Sequence, residues 1–374
     1  MSMETYVKTR RHPALPPPGK ATGLIGWMRR NLFSSAGNTI TTLVCAAIIA
    51  LTVPPFFNWA VLDAVWYASD GGLCRVEGAG ACWAFVEAKF GQFIYGRYPA
   101  EEIWRPNLVL LLFFLNLAAV LTPRMPYKGW LAATLLFIFP MFAWGVLHGG
   151  KFGLSVVETS DWGGLLLTLV IALSGILASL PLGILLALGR RSKLPVIRTL
   201  SVLFIEFWRG VPLVTVLFMA SVMLPLFLPE GVTFDLLLRA IIGVALFASA
   251  YMAEVVRGGL QAVPSGQYEA AKALGLSYWQ MMGLIVLPQA LRVVIPGIVN
   301  TFIGLFKDTT LVLIIGLFDF LGIIRANFTD ANWASPNTAA TGYVFAAFVF
   351  WMFCFAMSRY SLYMEKQLSQ GERR

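Results

Sequence analysis

The sequence predicts an all-α, polytopic membrane protein with about eight transmembrane helices, and three observations carry that prediction. Of the 374 residues, 58% are hydrophobic and 13% charged, with a mean hydropathy of +0.74, a composition that would precipitate as a soluble domain. Apolar stretches long enough to cross ~30 Å of hydrocarbon recur along the chain. Finally, the basic residues gather in alternate connecting segments, as they do in multi-pass proteins.

Residues 1–36 form a basic, Pro-containing lead (RRHPALPPPGK) without the apolar core of a cleavable signal peptide. Within it, Gly23 to Phe33 combines Trp27, apolar residues and two arginines, which suits a short helix at the membrane interface; a plain tail is the alternative. The first span is expected over Gly37 to Phe57, ending at Pro54 and Pro55, followed by a more polar outer segment, 58–106. Further spans are expected over Asn107 to Thr122, Gly129 to Leu147, Gly163 to Leu188, Val211 to Leu228, Leu236 to Val256, Val293 to Phe318 and Gly342 to Met357.

With the amino terminus inside, the inner segments hold 20 Lys and Arg and the outer ones 6, leaving Arg239 and Lys307 within spans. Both termini and segment 257–292 are therefore expected in the cytoplasm. The net charge of +9 is scattered among apolar spans and does not point to nucleic acid. Cys74 and Cys82 fall in the outer segment, where an oxidising space permits a disulfide, the alternative being two reduced thiols; Cys45 and Cys354 lie in spans. The chain has no HExxH motif or CxxC pair, and its two histidines, His12 and His148, are far apart, so no metal site is expected. GGKFG at 149–153 is not a phosphate-binding loop, since it lacks the glycine spacing and the hydroxyl residue, and this chain is not expected to hydrolyse ATP.

The most informative stretch is the polar insert 264–288, PSGQYEAAKALGLSYWQMMGLIVLP. Ser265 is expected to cap a first helix that alanines and Leu274 sustain. Gly275 is expected to end it in the left-handed conformation, and Ser277 with Gln280 reads as a capping box opening a second helix. Small Ala270 and Ala271 would let a partner approach, with Glu269 on the rim. The alternative is an ordinary loop lying on the membrane surface.

The string Glu269, Ala270, Ala271, Gly275, Ile285, Leu287, Pro288 has the spacing of the cytoplasmic coupling loop of ABC importer permeases, which it resembles. From Gly163 onward, GGLLLTLVIALSGILASLPLGILLALGRRS, IEFWRGVPL, AYMAEVVRGGLQAVPSGQYEAAKALGLS and LFKDTTLVLIIGLFDF are similar to permease subunits of polar amino-acid importers of the histidine, glutamine and arginine type. The preceding three spans and their outer loop resemble the extension of the general L-amino-acid permease of Gram-negative bacteria. The resemblance implies a MetI-like core of five helices, 151–374, carrying the coupling loop 264–288, behind a three-span extension, 37–150. It further implies a bacterial inner-membrane location and alternating access driven by two copies of a separate ATPase subunit. That ATPase, not this chain, would hold ATP and Mg; the remaining implied partners are a second, paralogous permease chain and a periplasmic amino-acid-binding protein.

Lys307 and Asp308 are the fifteenth and sixteenth residues of the 26-residue span Val293 to Phe318, near mid-bilayer, where each charge costs about 2.5–3.5 kcal/mol. Neighbours on a helix point about 100° apart, so each needs another partner. A zwitterionic amino acid supplies both, with Thr309 and Thr310 adding hydroxyl contacts; permanent pairing with neighbouring helices or a second chain is the alternative. Glu254 with Arg257, and Asp235 with Arg239, are spaced for local helix pairs, and Glu206 and Arg209 lie three apart before Gly210 and Pro212. Ser174, Gly175, Ser179 and Gly183 read as a close helix contact beside a kink at Pro181. The rival class, a secondary transporter or channel working without an ATPase, would call for inverted halves, and no such duplication is visible.

Overall fold

The computed structural model describes residues 23–122, 125–150, 153–229 and 234–370, the side chains of 368–370 excepted. The lead before residue 23, parts of PRMPYK and GGKFG, and the last four residues lie outside the described residues. Among those described, seven helices are long and apolar enough to cross a membrane, and an eighth crossing exists if one bent pair counts as a span.

The chain groups into two compact units: residues 1–64 with 78–81, and residues 65–77 with 82–374. In the first, α1 (Gly23–Asn31) is the short helix expected beside the membrane, and α2 (Ala36–Phe57) starts at Ser35, whose hydroxyl accepts from the Asn38 amide. The expectation that this span ends at Pro54 and Pro55 does not hold. The helix runs through both prolines and continues as a π-helical turn, Asn58–Leu62, with the Asn58 amide bonded to the Pro54 and Pro55 carbonyls. Hydrocarbon offers no water to a freed backbone group, so the chain stays helical and repartners its carbonyls.

In the second unit, the segment after Cys82 holds helix α3 (Trp83–Tyr95). The second span is α4 (Trp104–Leu121), and the third is α5 (Lys128–Ala133) joined through a π-helical turn to α6 (Phe139–His148). Spans two and three belong to the same unit as the rest of the chain because Val109, Phe113, Phe139 and Leu147 pack against Trp162 and Leu166. Helix α7 (Gly164–Arg190) follows, then α8 (Pro195–Gly210), between the expected spans 163–188 and 211–228. The fifth expected span, 211–228, is the second arm of a bend of 102°, beginning with α9 (Leu213–Phe218). Pro212 explains the break: Val211 before it is held extended, and a helix can restart only after the proline.

Helix α10 (Leu236–Ala262) packs along α7 over much of its length, the most extensive helix contact among the described residues. A Cβ at Gly183 would lie 2.6 Å from Met252, and one at Gly175 would lie 3.0 Å from Leu305, so the small residues of α7 serve packing. Beyond α10 come α11 (Ser265–Ala273), α12 (Tyr278–Met281), α13 (Leu287–Val293) and α14 (Ile295–Asp308). A 3-10 turn (Thr309–Ile315), α15 (Phe320–Ala326) and the long α16 (Thr338–Gln370) complete the chain.

Candidate functional site: the coupling loop and the helix break at Lys307–Asp308

The 264–288 insert folds as two short helices around a glycine turn. Helix α11 starts one residue earlier than expected: Pro264, extended at ψ 142°, is the N-cap, and Ser265 has already entered the helix, so its hydroxyl does not cap. Gly275 closes the helix at φ +71°, where its amide reaches the Lys272 carbonyl and the Leu276 amide reaches that of Ala271. Ser277 and Gln280 form the reciprocal capping box: the Ser277 amide donates to Gln280 Oε1 at 3.0 Å and the Gln280 amide to Ser277 Oγ at 3.4 Å.

The gapped string divides between surface and core. Glu269, Ala270, Gly275 and Pro288 are exposed. Ala271 is fully buried against Met281, Met282, Val286 and Ala290, and Ile285 and Leu287 pack half-buried on the same cluster. The expectation that both alanines meet a partner is corrected: Ala271 anchors the loop to its own helices, and only Ala270 faces out. The sequence reading missed the loop's apolar exterior. Leu274 (75% exposed), Trp279 (68%) and Leu284 (71%) stand open on the loop, and Tyr278 is partly so. Their presence in an otherwise polar insert was the available signal. Burial pushes the Tyr278 hydroxyl above its ordinary pKa.

The loop is tied to the helices above it. Arg191, just past α7, donates to the Leu260 carbonyl at 2.8 Å and to Tyr268 Oη at 3.0 Å, while stacking over the Tyr268 ring. One layer deeper, Glu254 lies 3.0 Å from Arg190, 2.8 Å from Arg257 and 3.7 Å from Arg209, and Arg190 also holds Glu206 at 2.8 Å. The local pair expected between Glu254 and Arg257 is present, but it is one arm of a network joining α7, α8 and α10. Glu206 pairs across to α7 instead of with its own neighbour Arg209.

Lys307 and Asp308 lie where α14 gives way to the 3-10 turn. Asp308, with Tyr251, Asn300, Thr301 and Gly304, lines an open cavity of about 340 Å³ between α10 and α14. Lys307 is exposed and does not line that cavity. Thr309 is buried with its hydroxyl donating to the Phe306 carbonyl, and the Thr310 hydroxyl donates to the Lys307 carbonyl. Of the four residues, the structure therefore brings only Asp308 into a space that a small polar molecule can enter. Asn300 and Thr301, both about two turns earlier on the same face, were missed; their spacing from Asp308 was the sequence signal.

At the other end of the spans, Cys74 and Cys82 are joined as a disulfide. The bridged segment packs with Phe85, Phe93 and Trp333 over Phe320. Lys89 holds Asp330 at 2.6 Å, which lowers the carboxyl's pKa, and Arg75 donates to the carbonyls of Ala331 and Ala334. Asp319, fully buried, caps α15 by accepting from the Leu321 and Gly322 amides, and burial raises its pKa to about 6. Among the described residues no cluster of His, Cys, Asp and Glu has the geometry of a metal site.

Residues 179–370 match the family described as "Binding-protein-dependent transport system inner membrane component". Over 360 residues the chain is 53% identical to the inner membrane amino-acid ABC transporter permease protein YhdY of Escherichia coli (strain K12), covering 96% of this chain and 97% of that one. It is 41% identical over 440 aligned positions to the glutamate/glutamine/aspartate/asparagine transport system permease protein BztC of Rhodobacter capsulatus, covering 100% of both. To the probable glutamine ABC transporter permease protein GlnP of Bacillus subtilis it is 36% identical over 178 residues, which is 47% of this chain and 80% of that one. The chain belongs to the family of binding-protein-dependent transport system inner membrane components.

Proposed function

We propose that this multi-pass member of the family is the membrane-spanning subunit of an ATP-driven importer of L-amino acids, coupled to a separate ATPase through the loop 264–288. The observation that carries the proposal is the exterior of that loop: Leu274, Trp279 and Leu284 stand exposed on a segment whose Ala271, Met281 and Val286 are buried against the membrane helices. Large apolar side chains exposed on so short a loop fit a partner protein better than water. The amino-acid permease names of the two relatives matched along nearly their whole length support the cargo class.

In this reading the excess of Lys and Arg in alternate segments keeps both termini and the coupling loop in the cytoplasm, where an ATPase can reach the loop. Residues 1–36 are a cytoplasmic tail, 37–150 a three-span extension with the periplasmic loop 58–106, and 151–374 the permease core. Two ATPase subunits carry ATP and Mg; this chain binds neither. A periplasmic binding protein delivers cargo, and a second, paralogous permease chain completes the path. Asp308 receives the cargo ammonium in the cavity beside Asn300 and Thr301, and Lys307, exposed on the single chain, meets the carboxylate where the second chain closes the path, with Thr309 and Thr310 shaping the turn.

Co-expression with the neighbouring chromosomal reading frames tests this. An ATPase is expected to co-purify with the wild-type chain and to be lost at least tenfold from correctly inserted Trp279→Ser and Gly275→Asp variants. Retention by both variants, or no ATPase with the wild type, overturns the proposal.

A further inference from the structure

Helix α1 (Gly23–Asn31) has no part in the transport reading, yet its two faces differ sharply. At about 100° per residue, Leu24, Ile25, Trp27 and Met28 share an arc of about 160°, and Arg29 and Arg30 lie outside it. Asn31 turns back into that arc, but its amide donates to the Trp27 carbonyl. The apolar arc is bare: Leu24 is 74% exposed and Ile25 80%, with Trp27 half-exposed. Both arginines are exposed as well.

The attachment of α1 fixes where it sits. Its last turn closes with the Leu32 and Phe33 amides both on the Met28 carbonyl, and the Leu32 carbonyl accepts from the Thr42 hydroxyl in the second turn of α2. Across the same turn the Asn38 side-chain amide donates to Ser34 Oγ, and Ser35 caps α2. Helix α1 is thereby held one turn from the start of α2, a helix long and apolar enough to cross a membrane. At that level the solvent is the layer where lipid headgroups meet acyl chains. An apolar arc carrying a tryptophan suits the acyl side of that layer, and guanidinium groups suit its phosphate oxygens. The sequence before α1 adds Lys8, Arg10, Arg11 and Lys20 against one acid, Glu4, so this end of the chain attracts anionic headgroups over neutral ones. A protein partner would have to offer an apolar groove and flanking acids together; a bilayer containing anionic lipid offers both wherever the span begins.

We propose that α1 is an anchor for an anionic lipid surface, lying in the headgroup layer with Leu24, Ile25, Trp27 and Met28 among the acyl chains and Arg29 and Arg30 on lipid phosphates. This needs only that α2 crosses a membrane, and it stands or falls independently of the transport reading.

The test is hydrogen exchange of the 23–31 amides, read by mass spectrometry on the full chain in lipid nanodiscs, with and without its co-purifying partners. The discs hold dioleoyl phosphatidylcholine alone or mixed with dioleoyl phosphatidylglycerol. Exchange is expected to be about tenfold or more slower with phosphatidylglycerol, the scale of two basic residues at an anionic surface, and high salt is expected to abolish the difference. Arg29→Gln with Arg30→Gln is expected to remove most of the difference. Ile25→Ser with Trp27→Ser, which spoils the apolar arc, is expected to speed exchange in both discs. Equal wild-type rates in the two discs overturn the proposal, as does a difference that high salt or the double glutamine variant leaves undiminished. Slow exchange that follows the partner subunits instead of the lipid also overturns it, since that marks a protein-docking face. Should a variant not insert, the two discs and the salt series on wild type still decide.

Discussion

Replacing Glu254 by glutamine separates two physical accounts of the same carboxylate. If Glu254 served only its neighbour Arg257, the loss would be that of an i,i+3 helix pair, about 0.3–0.5 kcal/mol. The structure instead places three guanidinium groups around it, at 2.8, 3.0 and 3.7 Å, from Arg257, Arg190 and Arg209. At an effective dielectric constant of about 20, one charge pair at ~4 Å is worth about 4 kcal/mol before desolvation is subtracted. Removing one partner from a buried charge network costs about 3–5 kcal/mol because the opposite charges remain. With side chains 17–36% exposed, the lower end, about 3 kcal/mol, is expected. For a chain of this size that corresponds to roughly 4 °C in melting temperature, against less than ~1 °C for the local pair. The assay is thermal melting of the purified complex, with Arg257→Gln as comparison. A Glu254→Gln shift of 1 °C or less would refute the network.

Asp308→Asn is expected to raise the KM for amino-acid uptake in proteoliposomes about tenfold or more, the scale of one charged hydrogen bond, while leaving ATPase association intact; a change under twofold would remove Asp308 from the cargo path. Asp319 carries a pH signature outside the spans. Its folded pKa of about 6 lies above the ordinary 3.8, so the folded state keeps a proton that the unfolded chain has already released. Stability therefore falls as pH rises through about 4 to 6, by up to about 3 kcal/mol, and is level above that window. Melting curves of wild type and Asp319→Asn should differ most in slope between pH 4.5 and 6, and parallel curves would contradict the buried-carboxyl account. Cys74→Ser with Cys82→Ser opens a loop of sequence separation 8, and chain entropy assigns that crosslink ~2.5 kcal/mol. Limited proteolysis of the outer segment should accelerate in the double variant, and unchanged cleavage would show that packing on Phe320 alone holds it.

Composition and pattern determined much of this protein. The apolar runs fixed the helical class, because a span in hydrocarbon must satisfy its own backbone hydrogen bonds. Local rules fixed the loop's turn: only glycine enters the left-handed region at residue 275 without strain, and Ser277 with Gln280 carries its own capping box. The basic residues marked the expected orientation because their positions along the chain, not their contacts, report it.

What depends on approach between distant segments was not legible. Pro54 and Pro55 read as a stop, yet the helix passes through them, since staying helical costs less than exposing backbone to lipid. Glu254 and Arg257 looked like a pair by spacing, while Arg190 and Arg209 arrive from helices 64 and 45 residues away in sequence. Asp235 and Arg239 had the same spacing logic, but Thr159 and the helix's own amides claim the carboxylate first. The gapped string from Glu269 to Pro288 marked the loop without showing which alanine is core and which is surface; that followed only when α11 met Met281, Met282 and Val286. Sequence settles what each short segment can do alone, and tertiary structure decides partners, because charges and apolar faces choose among whatever the packing brings within a few ångströms.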